Sequence, residues 1–150
     1  MTKVMNEFIC VHFTKGQISM TKFDKFKIIC DDSAVNEVAP RTLHSAVVIQ
    51  REGNASLFII GGKGAKEEVF NDVWEIDLPS AQVPTASTEV TCRRINFKGN
   101  FLPRYDHAVE ALDNGKIVLY GGVGADGKVL DDLLMFDTND YTWYKCANTS

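Results

Sequence analysis

The run Gly122-Val123-Gly124-Ala125-Asp126-Gly127-Lys128 has the G-x-x-x-x-G-K spacing of a phosphate-cradling loop and follows an apolar segment. That chemistry also needs a Ser or Thr for magnesium and a helix whose N-terminus faces the phosphates. Val129 stands at the hydroxyl position, and the following VLDDLLMFD is too short and too strand-like for the helix. Nucleotide binding is set aside. His44 and His107 could serve as metal ligands or proton carriers only with partners converging on them, and His12 lies in an unrelated segment. There is no Ser-His-Asp order and no G-x-S-x-G elbow. The residues therefore point to no catalytic group, no cofactor and no metal.

The histidines and carboxylates belong to a repeat. Gly61-Gly62 returns sixty residues on as Gly121-Gly122, Asn71-Asp72 as Asp131-Asp132, and Asp77 as Asp137. Pro40-Arg41 and His44 return sixty-three residues on as Pro103-Arg104 and His107. The three-residue difference falls in one turn, REGNAS against DNG. Repeated carboxylates suit turns better than bond cleavage, repeated histidines suit hydrogen bonding at a strand entry, and Trp74 and Trp143 suit packing.

Each copy reads as four short strands. In the second they are Asp106–Leu112, Lys116–Tyr120, Leu133–Asp137 and Tyr141–Cys146. Asn114-Gly115 supplies the positive φ values of a tight hairpin between the first two. In the first copy the strands are His44–Gln50, Ser56–Ile60, Val73–Asp77 and Val90–Ile95. Leu57–Ile60 and Ile117–Tyr120 are apolar without alternation, which predicts strands covered on both faces. The polar, proline-bearing LPSAQVPTASTE predicts a surface loop in the first copy alone.

This pattern resembles the kelch repeat, in which each copy forms one blade of a β-propeller. The matching residues are Pro-Arg and His before the first strand, the diglycine after the second, Asn-Asp or Asp-Asp before the third, and Trp143 in the fourth. Cys92 departs from the pattern where the first copy should carry that Trp, and Ile76 replaces the third-strand aromatic that is Phe136 in the second copy. The resemblance implies an all-β chain of two four-stranded antiparallel blades, at 40–102 and 103–150. Residues 1–39 then read as a partial or degenerate preceding blade, with strands at Glu7–Phe13 and Lys25–Cys30 around a Lys15-Gly16-Gln17 turn.

A closed propeller has about four to eight blades. Two blades leave open faces, so the remaining blades are expected from a longer chain or from self-association. The resemblance further implies a non-enzymatic scaffold that binds another protein through its inter-blade and post-diglycine loops. Here those loops hold Arg41, Thr42, Leu43, Lys63, Lys66, Glu67, Arg104, Tyr105, Asp126 and Lys128. For the two arginines, a turn-fixing role and a partner-binding role stand level. The alternative is a non-catalytic propeller segment of a larger oxidase or methyltransferase.

Composition agrees with a soluble domain: 150 residues, 45% hydrophobic, 24% charged, net charge −4. Interspersed charges of both signs speak against nucleic acid or an anionic membrane as partner. No apolar run reaches the roughly 18 residues of a membrane span, and the N-terminus does not read as a signal peptide. Cys10, Cys30, Cys92 and Cys146 form no C-x-x-C pair, which fits free thiols in a reducing, cytoplasmic setting. The sequons at Asn54 and Asn148 read as chance matches in that setting.

Overall fold

A computed structural model describes residues 38–78 and 91–146 in full, and the backbone of strand residues 12–14, 17–19, 27–30 and 89–90. The Glu7–Val11 part of the first expected strand and most of the LPSAQVPTASTE loop lie outside the described residues. The order of elements is β1 (His12–Thr14), β2 (Gln17–Ser19), β3 (Lys27–Cys30), β4 (Arg41–Thr42), β5 (Ser45–Arg51), β6 (Asn54–Ile60), β7 (Lys63–Gly64), β8 (Val73–Leu78) and β9 (Glu89–Arg94). The second copy continues with β10 (Arg104–Tyr105), β11 (Ala108–Leu112), β12 (Lys116–Tyr120), β13 (Val123–Gly124), β14 (Leu133–Asp137) and β15 (Thr142–Lys145). The described residues contain no helix, and every expected strand of both copies is present within a few residues.

Each copy builds one antiparallel blade, β5-β6-β8-β9 and β11-β12-β14-β15. Asn114 and Gly115 take φ of 65° and 73°, so the β11–β12 hairpin closes through the turn its Asn-Gly demands. The diglycines are needed for close approach. A Cβ on Gly62 would lie 2.8 Å from the His44 Cβ, and one on Gly122 would lie 2.8 Å from the Tyr105 carbonyl oxygen. Both glycines also hold φ near +100°, a conformation L side chains rarely adopt.

The two blades pack face to face over one core. Ile49, Phe58, Ile60 and Val73 from the first blade meet Ile117, Leu119, Leu134, Phe136 and Trp143 from the second, with Ile95 and Phe101 from the crossing segment. Trp143 stacks on Phe101 at 4.6 Å between ring centroids and lies tilted against Phe136 at 4.7 Å. A second core, Ile59, Trp74, Ile76 and Cys92 with Val38 and Leu57, occupies the other face of the first blade.

Two expectations are corrected. The strand at 27–30, assigned above to a preceding blade, pairs in parallel with β9 and extends the first blade's sheet to five strands. The same relation recurs one blade on, where Lys98 bridges Thr142 in parallel. The chain entering a blade thus lies along that blade's own outer strand. Ile117–Tyr120 is also not covered on both faces: Ile117 and Leu119 are buried, but Tyr120 is 57% exposed. Nothing among the described residues packs over that side of the second blade, so its apolar residues face outward.

Candidate interaction rim

At one end of the blades, two-residue ribbons carry the expected rim. Arg41–Thr42 pairs with Lys63–Gly64, and Arg104–Tyr105 pairs with Val123–Gly124. Each ribbon leads into a turn of one design. Gly64 N–H donates to the Glu68 carbonyl, and Gly124 N–H to the Lys128 carbonyl. Glu67 and Gly127 both hold positive φ in the corresponding turns, at 66° and 78°. The G-x-x-x-x-G-K run is therefore a β-turn, closed by the Val123–Val129 bridge, and no helix N-terminus stands behind it. Lys128 pairs with Asp126 at 2.8 Å, which lowers the Asp126 pKa below its ordinary value.

Beneath the ribbons lie the arginines. Arg104 is 0% exposed. Its guanidinium donates to both Asp132 oxygens at 2.6 and 2.9 Å and to the Gly121 carbonyl at 2.9 Å. The Arg104 hydrogen bonds hold the Asp132 carboxyl below the usual carboxylate range. Arg41 repeats the arrangement with Asp72 at 2.5 and 3.0 Å and the Gly61 carbonyl at 2.9 Å, and its side chain is 3% exposed. Bidentate forks of this kind fix geometry as well as charge. Of the two roles left level above, the buried forks carry the turn-fixing one; a guanidinium wholly inside the protein presents nothing to a partner.

The other rim residues divide by exposure. Thr42, Leu43, Lys66, Glu67, Asp126 and Lys128 are exposed, and Lys63 and Tyr105 are half-buried. Lys63 pairs with Glu67 and lies 5.2 Å from the Tyr105 ring centroid, a cation–π contact that bridges the two blades. Leu43 (φ 53°) and Asp106 (φ 56°) take matching strained conformations, and Asp106 N–H donates to the Leu43 carbonyl at 2.9 Å. Gly62 N–H donates to the Arg104 carbonyl, and Arg104 N–H to that of Phe70. The ribbons of neighbouring blades are thus tied into one continuous surface.

His107 departs from its expected role. Neither ring nitrogen makes a well-formed hydrogen bond, and the ring is buried beside Gly61. Burial first, and the Arg104 charge second, lower its pKa to about 4. Its backbone carbonyl does the joining instead, accepting from Ser45 Oγ at 2.6 Å across the blades.

The sequence reading missed a polar anchor lower in the interface. Glu75 is fully buried, receives Tyr141 Oη–H of the other blade at 2.8 Å, and pairs with Arg93 at 2.9 Å and Arg51 at 3.5 Å. Its signal was a lone Glu inside the apolar run VWEID, where the second copy has Met135. Also unmarked was a cleft of about 480 Å³ between Asn71 and the Arg94–Phe97 crossing segment. Among the described residues no group of three or more His, Cys, Asp or Glu could hold a metal ion, and no helix is long and apolar enough to cross a membrane.

The family model for the KLHDC2/KLHL20/DRC7 Kelch-repeats domain matches residues 3–150. The chain is 29% identical over 111 residues to "tRNA wybutosine-synthesizing protein 2/3/4" of Arabidopsis thaliana, which covers 73% of the chain and 10% of that protein. It is 31% identical over 84 residues to "Adagio-like protein 3" of Oryza sativa subsp. japonica, covering 56% of the chain and 12% of that protein. The matched part is thus about a tenth of the length of these curated relatives. With repeat residues, blades and a family match over nearly its whole length in agreement, the chain belongs to the kelch-repeat family.

Proposed function

We propose that the chain is a protein-interaction segment of a β-propeller, acting in the cytoplasm, that engages another protein through its rim. Thr42, Leu43, Lys63, Lys66, Glu67, Tyr105, Asp126 and Lys128 supply the surface. The observation that supports this reading is the repeated pair of exposed turns at 64–68 and 124–128, each set on a ribbon fixed by a buried Arg–Asp fork. A rigid base with exposed, variable loops is the usual arrangement for recognition. Leu43, half exposed at 50% with a strained backbone, stands at the junction of the two ribbons. Charge reversal at Lys66 and Lys128 together should deplete specific partners from affinity capture of the whole protein while leaving its unfolding midpoint in place. An unchanged partner set would sink the rim reading.

A second reading places these blades beside a catalytic domain, as a non-catalytic segment of an enzyme. The similarity to a protein named for tRNA wybutosine synthesis favours it. In that case the same charge reversal should spare kcat and alter only substrate capture.

A further inference from the structure

The two blades differ where the entering chain meets the outer strand. In the second blade Lys98 bridges Thr142 in parallel, which sets Gly99 opposite Trp143. Gly99 holds φ of +85°, and a Cβ there would collide with the Trp143 carbonyl. In the first blade the equivalent register position is filled by cysteine on both sides: Cys30 of β3 is the Cα partner of Cys92 of β9. The repeat's tryptophan is thereby replaced by a cysteine at a register position where the neighbouring strand also carries a cysteine.

From this juxtaposition we propose that Cys30 and Cys92 form a redox-sensitive pair whose disulfide staples β3 to the outer edge of the first blade. Directly paired residues of adjacent strands lie about 4.8 Å apart. A disulfide spans Cα separations of about 4.4–6.8 Å. The oxidant class is a small disulfide such as glutathione disulfide. One cysteine thiolate attacks a sulfur of glutathione disulfide, forms a mixed disulfide and expels one glutathione thiolate. The second cysteine thiolate then attacks the protein sulfur of that mixed disulfide and expels the other. The two protons lost by the cysteines end on two glutathione thiols, and two electrons pass to the oxidant.

Cys92 is 0% exposed. Exchange therefore waits for the edge strand β3 to open, and closure of the disulfide then fixes the strand in place. Reduced, β3 is joined to β9 without a covalent link; oxidised, it cannot leave.

The test is to equilibrate the full reduced chain in graded glutathione and glutathione disulfide, alkylate, digest and read the peptides by mass spectrometry. The expected result is a linked peptide containing Cys30 and Cys92, with loss of alkylation at both, under conditions where Cys10 and Cys146 are still alkylated or carry glutathione. Dithiothreitol should reverse it, and guanidinium, which removes the register, should abolish the preference. The double variant Ile29→Cys with Cys30→Ile moves the thiol one residue and so to the other face of the sheet; linkage to Cys92 should be lost while the circular dichroism spectrum is kept. Continued alkylation of both cysteines in the native chain at every ratio, equal linkage to Cys10 or Cys146, or undiminished linkage in the shifted variant would each overturn the proposal.

Discussion

The first blade is covered on both faces and the second on one, although the same repeat writes both. The first blade packs Phe58, Ile60 and Val73 toward its neighbour and buries Ile59, Trp74 and Ile76 on its far side. The second turns Ile117, Leu119, Phe136 and Trp143 inward and leaves Tyr120 and Tyr144 exposed. By the repeat offset, Tyr120 corresponds to Ile60, which is 0% exposed. The outward side of the second blade is therefore equivalent to the side by which the first blade grips the second. Burial in this fold is set by position in the stack, and the sequence pattern of a strand does not reveal whether a neighbour is there.

What the blades share most strictly is the arginine fork, so breaking it should have the largest effect. Removing one partner of a buried ion pair strands the other charge, at a cost of about 3–5 kcal/mol. Arg104→Ala should lose up to that much and leave the partly buried Asp132 carboxylate without its partner. Arg41→Ala should behave alike, because the geometry is the same. Chemical denaturation of both variants checks this, and a neutral Arg104→Ala would contradict the burial described. Trp143→Ala should cost a similar amount, about 3–5 kcal/mol, through loss of its contacts with Phe101 and Phe136.

Acid should also separate the blades. His107 sits in the interface with its pKa lowered to about 4 from 6.5, whereas its counterpart His44 is exposed, with a lowered pKa. The folded state binds the His107 proton less readily than the unfolded state does. That contribution is complete above pH 6.5 and is lost as pH falls toward 4, amounting to up to about 3 kcal/mol. Asp132 and Asp137, whose pKa values are lowered, add their loss only below the ordinary carboxylate value of 3.8. His107→Gln should flatten the upper window of a stability–pH profile and leave the lower one. An unchanged slope between pH 6.5 and 4 would show that burial at His107 does not govern it.

Much of this was legible from residue types. The Asn-Gly turn, the diglycines and the recurring Asn-Asp or Asp-Asp placed all eight blade strands, because each obliges a local backbone shape. The rim was legible only by resemblance, and its arginines were ambiguous. Pro-Arg at a blade entry is the same dipeptide whether the guanidinium faces solvent or an aspartate thirty-one positions on. Glu75 was invisible for the opposite reason: its partners Tyr141, Arg51 and Arg93 come together only when the blades stack. The parallel strand at 27–30 carried no repeat residue to tie it to β9.

The cores of the blades offer a finer comparison. In the first, the third strand supplies Trp74 and the fourth Cys92; in the second, the equivalent positions hold Leu134 and Trp143. The large ring has moved from one strand to the next, and both sites remain buried. Trp74 also donates its indole N–H to Asp72 at 2.8 Å, so it is anchored to the fork of its own blade. Cys92→Trp should therefore overpack a filled site and cost about 1–3 kcal/mol. A raised unfolding midpoint would show instead that the site is vacant.

The smallest effect is the one that decides how far the comparison extends. Tyr120 and Ile60 occupy one repeat position, but only Ile60 is covered. Tyr120 lies in a row with Ala108 and Leu133 on the open face, as Ile60 lies in a row with Ser45 and Val73 on the closed one. Surface substitutions away from packed features change stability by no more than about 0.5 kcal/mol. Tyr120→Lys should fall within that limit in a dilute solution of this chain, while Ile60→Lys, which buries an unpaired ammonium, should prevent folding. Raising the concentration turns the same variant into a sharper probe. If a second copy covers the open face, Tyr120→Lys should abolish association in sedimentation, because the charge would then be buried as at Ile60. If the face is completed by a further blade of a longer polypeptide, the cost should appear only in that polypeptide, and the 150-residue chain should sediment identically with Tyr or Lys. A substantial loss of stability in the dilute chain itself would mean that Tyr120 is covered already, and the contrast between the two blades would fall.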